Sequence, residues 1–579
     1  MTGSIPHKIE ELASYLYGED EARRFVERLA NILEREAPRK EMLRGLEDAK
    51  LRSRLSERDC LLITYADSLG RRDLGKSNHP LPPLRVLREF LDERGRGLFS
   101  HVHVLPFFPS SSDDGFSVVD YRSVESGHGD WADMRELGRG FRLVFDLVMN
   151  HSSAHNAWFE GFLRGDVGFD HWYLTRPEDY DSSPVVRPRT SPLLTDFRKA
   201  DGESLRVWTT FSADQVDLNF GNPEVLLEFL SIILFYISIG AGTLRLDAIA
   251  YLWKEDGTSC INHPKTHAVV KLLRGFLDYL DLGTMILTET NVPHDQNVAY
   301  FGSGDEAHLV YNFALPPLVL HAAVSGDAGP LGRWAEKLER PPAGCHFLNF
   351  LASHDGIGLT PASGLVDEAA FAETLARVVA KGGRIAYKSG PAGTTPYELN
   401  SSYLSAVAPE GSASVQSRAR AFLTTQAVML SFDGVPAIYI HSWLGSGNWI
   451  EGMERLGYNR AINREKLEAE VLEAELDEEG SLRNLVNTGI DRLLRYRKLR
   501  AAFAPGVPQE ILPAEGPLFA LLRGPDAAGR RVLCVSNFSD SQRLFAFDNP
   551  LARGELCVPA FGTVWREYER GSLISELAI

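Results

Sequence analysis

The stretch Thr243-Leu-Arg-Leu-Asp-Ala248 decides the fold, because it is the clearest of the short apolar runs that predict buried strands. It carries an arginine and an aspartate two residues apart. Side chains two residues apart on a β-strand point to the same side, so Arg245 and Asp247 are expected on one face. The preceding residues 229–239 are almost entirely apolar and end at the glycine-containing turn 240–242. This order predicts a buried helix that leads directly into a buried strand.

Seven other segments repeat the pattern of a short apolar run with few charges. They cover residues 61–65, 99–105, 142–148, 285–290, 309–313, 347–352 and 435–440. Nearly continuous apolar strands require a sheet that is covered on both faces. Eight such strands alternating with helical stretches indicate an α/β protein with a closed (β/α)8 TIM barrel.

The pattern changes outside the barrel and in two long intervals within it. Residues 1–56 have helical periodicity and predict an N-terminal helical extension, whereas 505–579 have short alternating strands and predict a small C-terminal β domain. The catalytic barrel is expected over 57–504, with inserted loop domains at about 157–222 and 356–403. Both insertions follow the carboxyl end of a strand, which is the face where barrel enzymes build their sites.

Composition and charge exclude several classes of partner. The 579 residues carry a net charge of -17, which repels nucleic acid and anionic membranes but leaves small anions possible as ligands. The first 20 residues lack the apolar core of a signal peptide, and 229–239 is too short to span a bilayer. Five cysteines form no CxxC pair. We therefore expect a cytoplasmic protein with reduced, packed cysteines, while the oligomeric state stays open.

Three carboxylates fall at the carboxyl ends of predicted strands. They are Asp247, Glu289 in the fifth strand segment and Asp355 after the seventh. A lone aspartate at this position is usually a helix cap, and a lone glutamate is usually solvated. Three carboxylates at one barrel rim, however, repel one another unless the site binds a positively charged group. An oxocarbenium-like transition state is such a cation. The pattern predicts a retaining glycoside-processing enzyme, with Arg245 holding Asp247 ionised and oriented.

Other motifs have simpler interpretations. His101 and His103 alternate on one strand, and core packing is favoured over metal ligation. Gly356 and Gly358 follow the third carboxylate, where we expect them to let a ligand approach closely. No phosphate-binding P-loop, zinc-spaced set or Ser-His-Asp pattern competes with the carboxylates.

The strand-end motifs resemble those of the α-amylase superfamily, glycoside hydrolase family 13. The motifs are Asp146-Leu-Val-Met-Asn-His151, Leu244-Arg-Leu-Asp-Ala-Ile249, Leu287-Thr-Glu-Thr-Asn291 and Ala352-Ser-His-Asp355. The resemblance extends from about residue 63 to the C-terminus. It implies Asp247 as nucleophile, Glu289 as acid/base and Asp355 as transition-state stabiliser.

Within this family the sequence is most similar to the sucrose phosphorylase subfamily. The segments that carry this likeness include Leu105-Pro-Phe-Phe-Pro109, Asp113-Asp-Gly-Phe116 and Gly434-Val-Pro-Ala-Ile-Tyr439. The implied substrate-binding residues are Asp113, Phe116, His151, Arg189, Phe211, Gln215, Arg245, Tyr251, Asn291, His354, Lys388, Tyr397, Glu398 and Arg460. Among them Arg189 would meet phosphate, and Tyr397 would lie on a mobile acceptor loop. No cofactor or metal is implied: Asn150 matches a calcium ligand of some amylases, but the subfamily argues against calcium.

The departures from the subfamily lie on the acceptor side. Asn291 stands where sucrose phosphorylases carry histidine, and Thr394-Thr-Pro-Tyr-Glu398 replaces Leu-Asp-Leu-Tyr-Gln. These changes and the helical extension resemble the members that act on glucosylglycerate. The resemblance implies phosphorolysis of 2-O-α-D-glucosylglycerate to α-D-glucose 1-phosphate and D-glycerate. Phosphorolysis of sucrose, sucrose 6-phosphate or glucosylglycerol stays open, and simple hydrolysis of an α-glucoside is the further alternative.

Overall fold

Eight parallel strands close into a barrel at the centre of the protein. The computed structural model describes residues 5–36, 55–71, 81–390, 393–411, 413–549 and 552–579. The barrel strands are β1 Leu61–Thr64, β2 His101–Val104, β3 Arg142–Leu147, β4 Ala241–Leu246, β5 Met285–Thr288, β6 Leu309–Tyr311, β7 His346–Asn349 and β8 Val435–Tyr439. Each strand pairs with its neighbours in the chain, and β8 closes the ring against β1. The predicted (β/α)8 barrel is confirmed.

The register between β3, β4 and β5 positions the residues that matter for the site. Asp146 on β3 lies opposite Arg245 on β4, and Arg245 in turn lies opposite Leu287 on β5. The sequence pattern predicted these strands. The pairing of buried Asp146 with buried Arg245, however, depends on the register between the strands.

Helices surround the barrel and cover its outer face. The main ones are Pro83–Phe90, Trp131–Gly138, Pro223–Ile239, Pro264–Leu280, Leu315–Ser325, Gly329–Glu336, Val415–Ser431, Ala469–Asp477 and Leu482–Lys498. The predicted buried helix before β4 is confirmed as Pro223–Ile239. It begins with a proline in its first turn behind the side-chain cap of Asn222 and ends at Gly240, as the preferences for helix ends lead one to expect.

The N-terminal segment forms two helices that pack on the barrel helices. They are α1, His7–Tyr17, and α2, Glu19–Glu36, which lie against Pro264–Leu280 and Pro223–Ile239, respectively. Each helix buries one apolar face, with Leu16 on α1 and Phe25 on α2 among the buried residues. Residues 1–4 and 37–54 of the predicted extension lie outside the described residues.

Both insertions form small antiparallel sheets on the carboxyl face of the barrel. The first contains helix Ala157–Arg164 and the strand pairs Leu194–Arg198 with Ser204–Trp208 and His151–Ser153 with Gln215–Asp217. The second contains helix Glu368–Ala380 and strands Arg384–Gly390 and Gly393–Asn400, which pair with each other. We call this last pair of strands the 384–400 hairpin. It is anchored to the barrel rim because its second strand also pairs with Ile357–Gly358.

The C-terminal segment is a β domain with its own core cluster. Its five-stranded sheet consists of Gln509–Leu512, Leu518–Arg523, Arg531–Asn537, Thr563–Glu569 and Ser572–Ala578, and a hairpin is formed by Arg543–Asn549 and Ala552–Val558. All five cysteines are free. Four are buried, but Cys557 is exposed because it alternates outward on a hairpin strand, so it is not the packing residue that we predicted. Within the described residues, no helix has the length and apolar character needed to cross a membrane.

Candidate active site

A cavity opens among the carboxyl ends of the barrel strands. Its wall contains all three predicted carboxylates, Asp247, Glu289 and Asp355. The predicted binding residues that also line it are Asp113, Phe116, His151, Arg189, Phe211, Gln215, Asn291, His354, Tyr397, Glu398 and Arg460. The other three predicted binding residues lie behind this wall. Arg245 is buried under Asp247, Tyr251 packs edge-on against Phe211, and Lys388 lies over the Tyr397 ring.

A buried chain of charged groups supports the carboxylate on β4. Arg245 Nη1 donates to Asp247 Oδ1 at 2.8 Å and also to Asp146, its partner across the strand pair. Asp146 in turn binds His103 Nε2 at 2.7 Å. His103 is therefore held by a carboxylate in the barrel interior. Among the described residues, no group of acidic, histidine or cysteine side chains is arranged to hold a metal ion. This chain restricts Asp247 to one orientation.

The carboxylate on β5 shares the same guanidinium. Glu289 Oε2 lies 3.9 Å from Arg245 Nη2 and accepts a hydrogen bond from the backbone N–H of Ala248 at 2.9 Å. Ala248 has a left-handed backbone (φ 46°), which turns the chain sharply after Asp247. Burial raises the pKa of both Asp247 and Glu289, and each lies close to other carboxylates. Since Arg245 binds Asp247 more closely, we assign the retained proton to Glu289.

The third carboxylate is in a different electrostatic environment. Asp355 Oδ1 lies 2.5 Å from Arg460 Nη1 and 3.6 Å from Arg464 Nη2. Burial opposes its ionisation, but these guanidinium groups outweigh burial and lower the pKa of Asp355 below the ordinary value. Asp355 is therefore held as an anion, whereas the other two carboxyls compete for a proton.

The inner end of the cavity is polar on one side and aromatic on the other. Gln215 Nε2 donates to Asp113 Oδ2 at 3.1 Å and lies 3.1 Å from His151 Nε2. Phe116 stacks on the His354 ring, with ring centroids 5.0 Å apart. Hydrogen-bonding groups around an aromatic wall are what a sugar ring with several hydroxyls requires.

A strained turn places Asp113 in this wall. Asp113 and Asp114 are consecutive non-glycine residues with left-handed backbones (φ 53° and 47°). The turn is held in place because Asp114 forms an ion pair with Arg464 and accepts a hydrogen bond from Tyr458 at 2.8 Å. Strain of this kind persists where surrounding contacts over-determine the backbone, and it concentrates at functional sites.

The outer end of the cavity carries an unpaired cation and the 384–400 hairpin. No carboxylate in the described part of the chain forms an ion pair with Arg189. Tyr397 accepts a hydrogen bond from Asn291 Nδ2 at 3.3 Å, and Lys388 Nζ lies 5.6 Å from the centre of the Tyr397 ring. The predicted acceptor loop is thus built as paired β-strands, and its mobility stays a prediction.

The two glycines after the seventh strand lie close to the 384–400 hairpin and to Asn291. A Cβ atom on Gly356 would lie 2.6 Å from Glu398 Cγ, and one on Gly358 would lie 2.7 Å from Asn291 Oδ1. Both glycines also line the cavity, so our expectation that they let a ligand approach stays a prediction. Glu398 also accepts a hydrogen bond from the N–H of Gly356 at 3.2 Å.

Several functional residues were missed by sequence reasoning. Asp146 stood in a quoted motif without a role, and Arg464 likewise had no role as the last residue of Asn459-Arg-Ala-Ile-Asn-Arg464, a further segment of the subfamily likeness. Lys254 is buried, with Nζ 2.6 Å from Asn150 Oδ1 and 2.5 Å from Asp217 Oδ2. A side-chain cation thus occupies the position beside Asn150 where the family resemblance places calcium in some amylases. Lys254 ends an apolar stretch after β4 and is followed by Glu255 and Asp256, so the local sequence gives no signal that it is buried.

Comparison with known proteins agrees with this geometry. Residues 98–354 match the family model described as "Alpha amylase, catalytic domain". The chain is 47% identical over 551 residues to the glucosylglycerate phosphorylase of Spirochaeta thermophila, covering 94% of this chain and 91% of the relative. The chain belongs to glycoside hydrolase family 13.

Other relatives place it within this family. The glucosylglycerate phosphorylase of Escherichia coli K12 is 45% identical over 478 residues, covering 82% of this chain and 84% of that relative. The sucrose phosphorylase of Agrobacterium vitis is 30% identical, covering 76% and 88%. The structure of sucrose 6F-phosphate phosphorylase from Thermoanaerobacter thermosaccharolyticum shares the fold, with a TM-score of 0.75, 23% identity and coverage of 91% and 99%.

The contact between Gly356 and Glu398 gives a first prediction. Gly356→Ala should lower the unfolding free energy by about 1–3 kcal/mol, because the new methyl group overlaps the Glu398 side chain and the Leu399 carbonyl. Gly332→Ala is the matched control, since its Cβ meets no atom within 4 Å and it lies in a helix. Urea unfolding followed by tryptophan fluorescence compares the two. Equal stability of both variants would show that the hairpin does not pack against the rim as described.

Proposed function

We propose that this protein is a retaining glycoside phosphorylase that converts 2-O-α-D-glucosylglycerate and phosphate to α-D-glucose 1-phosphate and D-glycerate. The observation that carries the proposal is a guanidinium, Arg189, that shares the cavity with three carboxylates and forms no ion pair with any carboxylate in the described part of the chain. Relatives at 42–47% identity are named glucosylglycerate phosphorylase, which supports this substrate. The partners we propose are accordingly small molecules: the glucoside, phosphate and glycerate.

In the first half of the proposed reaction, Asp247 displaces glycerate from glucose. Arg245 binds Asp247 Oδ1, so we assign the attack on the anomeric carbon to Oδ2. Glu289 uses Oε2 to accept the Ala248 N–H, and its other oxygen would protonate the departing glycerate oxygen. Retaining enzymes hold these two carboxyl groups about 5 Å apart, and here both lie against one guanidinium. Asp355, held as an anion, would bind sugar hydroxyls and stabilise the positive charge that develops on the ring.

In the second half, phosphate takes the place of glycerate and attacks the β-glucosyl-enzyme. The bond between Asp247 and the anomeric carbon breaks, a bond to a phosphate oxygen forms, and Glu289 accepts any proton that the nucleophile loses. Two inversions retain the α configuration. Glycerate and phosphate are both anions, so Arg189 would bind each of them in turn by charge-assisted hydrogen bonds.

Phosphate has to compete with water for the glucosyl-enzyme. Water at roughly 55 M exceeds phosphate at about 5 mM by about ten-thousandfold, so a hundredfold preference for phosphate requires about 8 kcal/mol. Arg189 would supply part of this by binding phosphate. Exclusion of water by the 384–400 hairpin would supply more.

The substrate is tested by comparing three glucosides. With phosphate at a fixed concentration, release of α-D-glucose 1-phosphate should be fastest from glucosylglycerate and at least about tenfold slower from sucrose and glucosylglycerol, which lack the carboxylate that Arg189 would bind. The measurement is an enzyme-coupled assay of glucose 1-phosphate with parallel detection of free glucose. Faster release from sucrose would reject the acceptor assignment, and free glucose released independently of phosphate would reject phosphorolysis.

The role of Arg189 is tested by the partition between phosphate and water. Arg189→Ala should lower the ratio of phosphorolysis to hydrolysis by about a hundredfold, the effect of losing charge-assisted hydrogen bonds worth about 2–3 kcal/mol. Arg187→Ala is the matched control, because Arg187 lies two residues earlier and is not among the residues that line the cavity. Product analysis by chromatography gives the ratio. An unchanged ratio in Arg189→Ala would remove this residue from phosphate binding.

The proposed acid is tested by pH dependence. Burial and the nearby Asp355 raise the pKa of Glu289, so kcat/KM should fall on the alkaline side only above the usual range of a glutamic acid. Glu289→Gln should lose about a thousandfold in rate with glucosylglycerate. With α-glucosyl fluoride, whose leaving group needs no acid, Glu289→Gln should stay active and lose the alkaline limb. If the alkaline fall in rate persisted in Glu289→Gln, it would have to be assigned to another group. Asp247→Asn, which lacks the nucleophile, should be inactive with both substrates.

A further inference from the structure

Glu398 lines the cavity and is also tightly bound by neighbouring protein groups. Its side chain is 3% exposed and forms a two-point ion pair with Arg460, with Nε–Oε1 and Nη2–Oε2 distances of 3.0 and 2.7 Å. Oε1 also accepts the N–H of Gly356. These bonds join Glu398 to Arg460, which lines the same cavity.

The cations at the cavity divide into paired and unpaired groups. At the inner end, Arg460 is bound by Glu398 and Asp355, and Arg464 is bound by Asp114 with Asp355 nearby. Arg189 at the outer end forms no ion pair with any described carboxylate. The inner arginines are thus compensated by close ion pairs, while Arg189 acts on Asp113 and Asp355 only over a longer distance.

We propose that Glu398 is a positioning and specificity residue that neutralises Arg460, so that anions bind at Arg189 and the inner end accepts the uncharged sugar. This inference rests on the proposed function, because it takes glucose and an anion to occupy the two ends of one cavity. Without Glu398, Arg460 would keep only Asp355 as a partner, and phosphate or the carboxylate of glycerate would compete with the sugar for Arg460. The substrate would then also bind in the reversed orientation.

The charge of Glu398, rather than its shape, is what this role needs. Glutamine has the same shape and still accepts a hydrogen bond through its oxygen, but it cannot compensate a guanidinium. The negative charge of Glu398 would lie about 6 Å from an anion bound at Arg460. At an effective dielectric constant near 20, removing that charge should strengthen anion binding about a hundredfold. The hairpin contributes to the same effect, because Glu398 reaches Arg460 only when its strand pairs with the rim at Gly358.

The experiment measures competition between glucose and sulfate without turnover. Glucose binding is measured by calorimetry with and without sulfate at about 20 mM, at constant ionic strength, in Arg189→Ala and in Arg189→Ala/Glu398→Gln. The Arg189→Ala background removes the outer anion site. Sulfate should leave glucose binding unchanged in the single variant and weaken it about fivefold in the double variant, the loss expected from an anion that competes with a Kd of about 5 mM.

Two further variants separate charge from structure. Glu398→Asp in the same background keeps the negative charge and should show little sulfate competition. Glu410→Gln removes an equal charge from a surface pair with Arg377 and should behave like the background. The proposal is overturned if sulfate has no effect on Glu398→Gln, or if Glu398→Gln weakens glucose binding equally with and without sulfate, which indicates a purely structural role. Failure of the proposed function would appear separately, as absence of glucose 1-phosphate release by the wild-type enzyme.

Discussion

Arg245 is a buried guanidinium that binds Asp247 and Asp146 and lies 3.9 Å from Glu289. The arrangement of the site depends on it, because three carboxylates at the interior of one barrel would otherwise repel one another. The strand register explains how it is achieved, since Asp146 and Arg245 lie opposite each other on adjacent strands. A positive charge fixed by the barrel itself lets two carboxyls of different protonation remain close together.

Much of the fold and the identity of the key carboxylates could be predicted from sequence, because they depend on local patterns. Apolar runs gave eight strands, and alternation placed Arg245 and Asp247 on one face, where the structure has them 2.8 Å apart. The role of Asp146 could not be obtained in this way. Its partner is almost one hundred residues later in the chain, and only the register of two strands brings them together.

The acceptor side shows the same limit more strongly. Gly356 and Gly358 were correctly located after the seventh strand, but the side chains that approach them could not be predicted. Glu398 comes from a hairpin more than forty residues further along, and no pattern near the glycines indicates its approach. The left-handed backbone of Asp113 is likewise fixed through Asp114 and the distant Arg464. Contacts between segments remote in sequence determined each of these features.

The distribution of charge along the cavity connects the fold with the proposed chemistry. A hydrolase needs the three carboxylates and the sugar-binding wall, but it has no use for a free cation beside the leaving group. A phosphorylase has to attract an anion to a site already rich in negative charge, and it must do so without drawing that anion into the sugar position. Pairing the inner arginines with Asp355, Asp114 and Glu398, while Arg189 forms no ion pair with a described carboxylate, satisfies both conditions. The direction in which substrate enters is then set by charge before any hydroxyl is recognised, since Coulomb attraction acts over longer distances than hydrogen bonds.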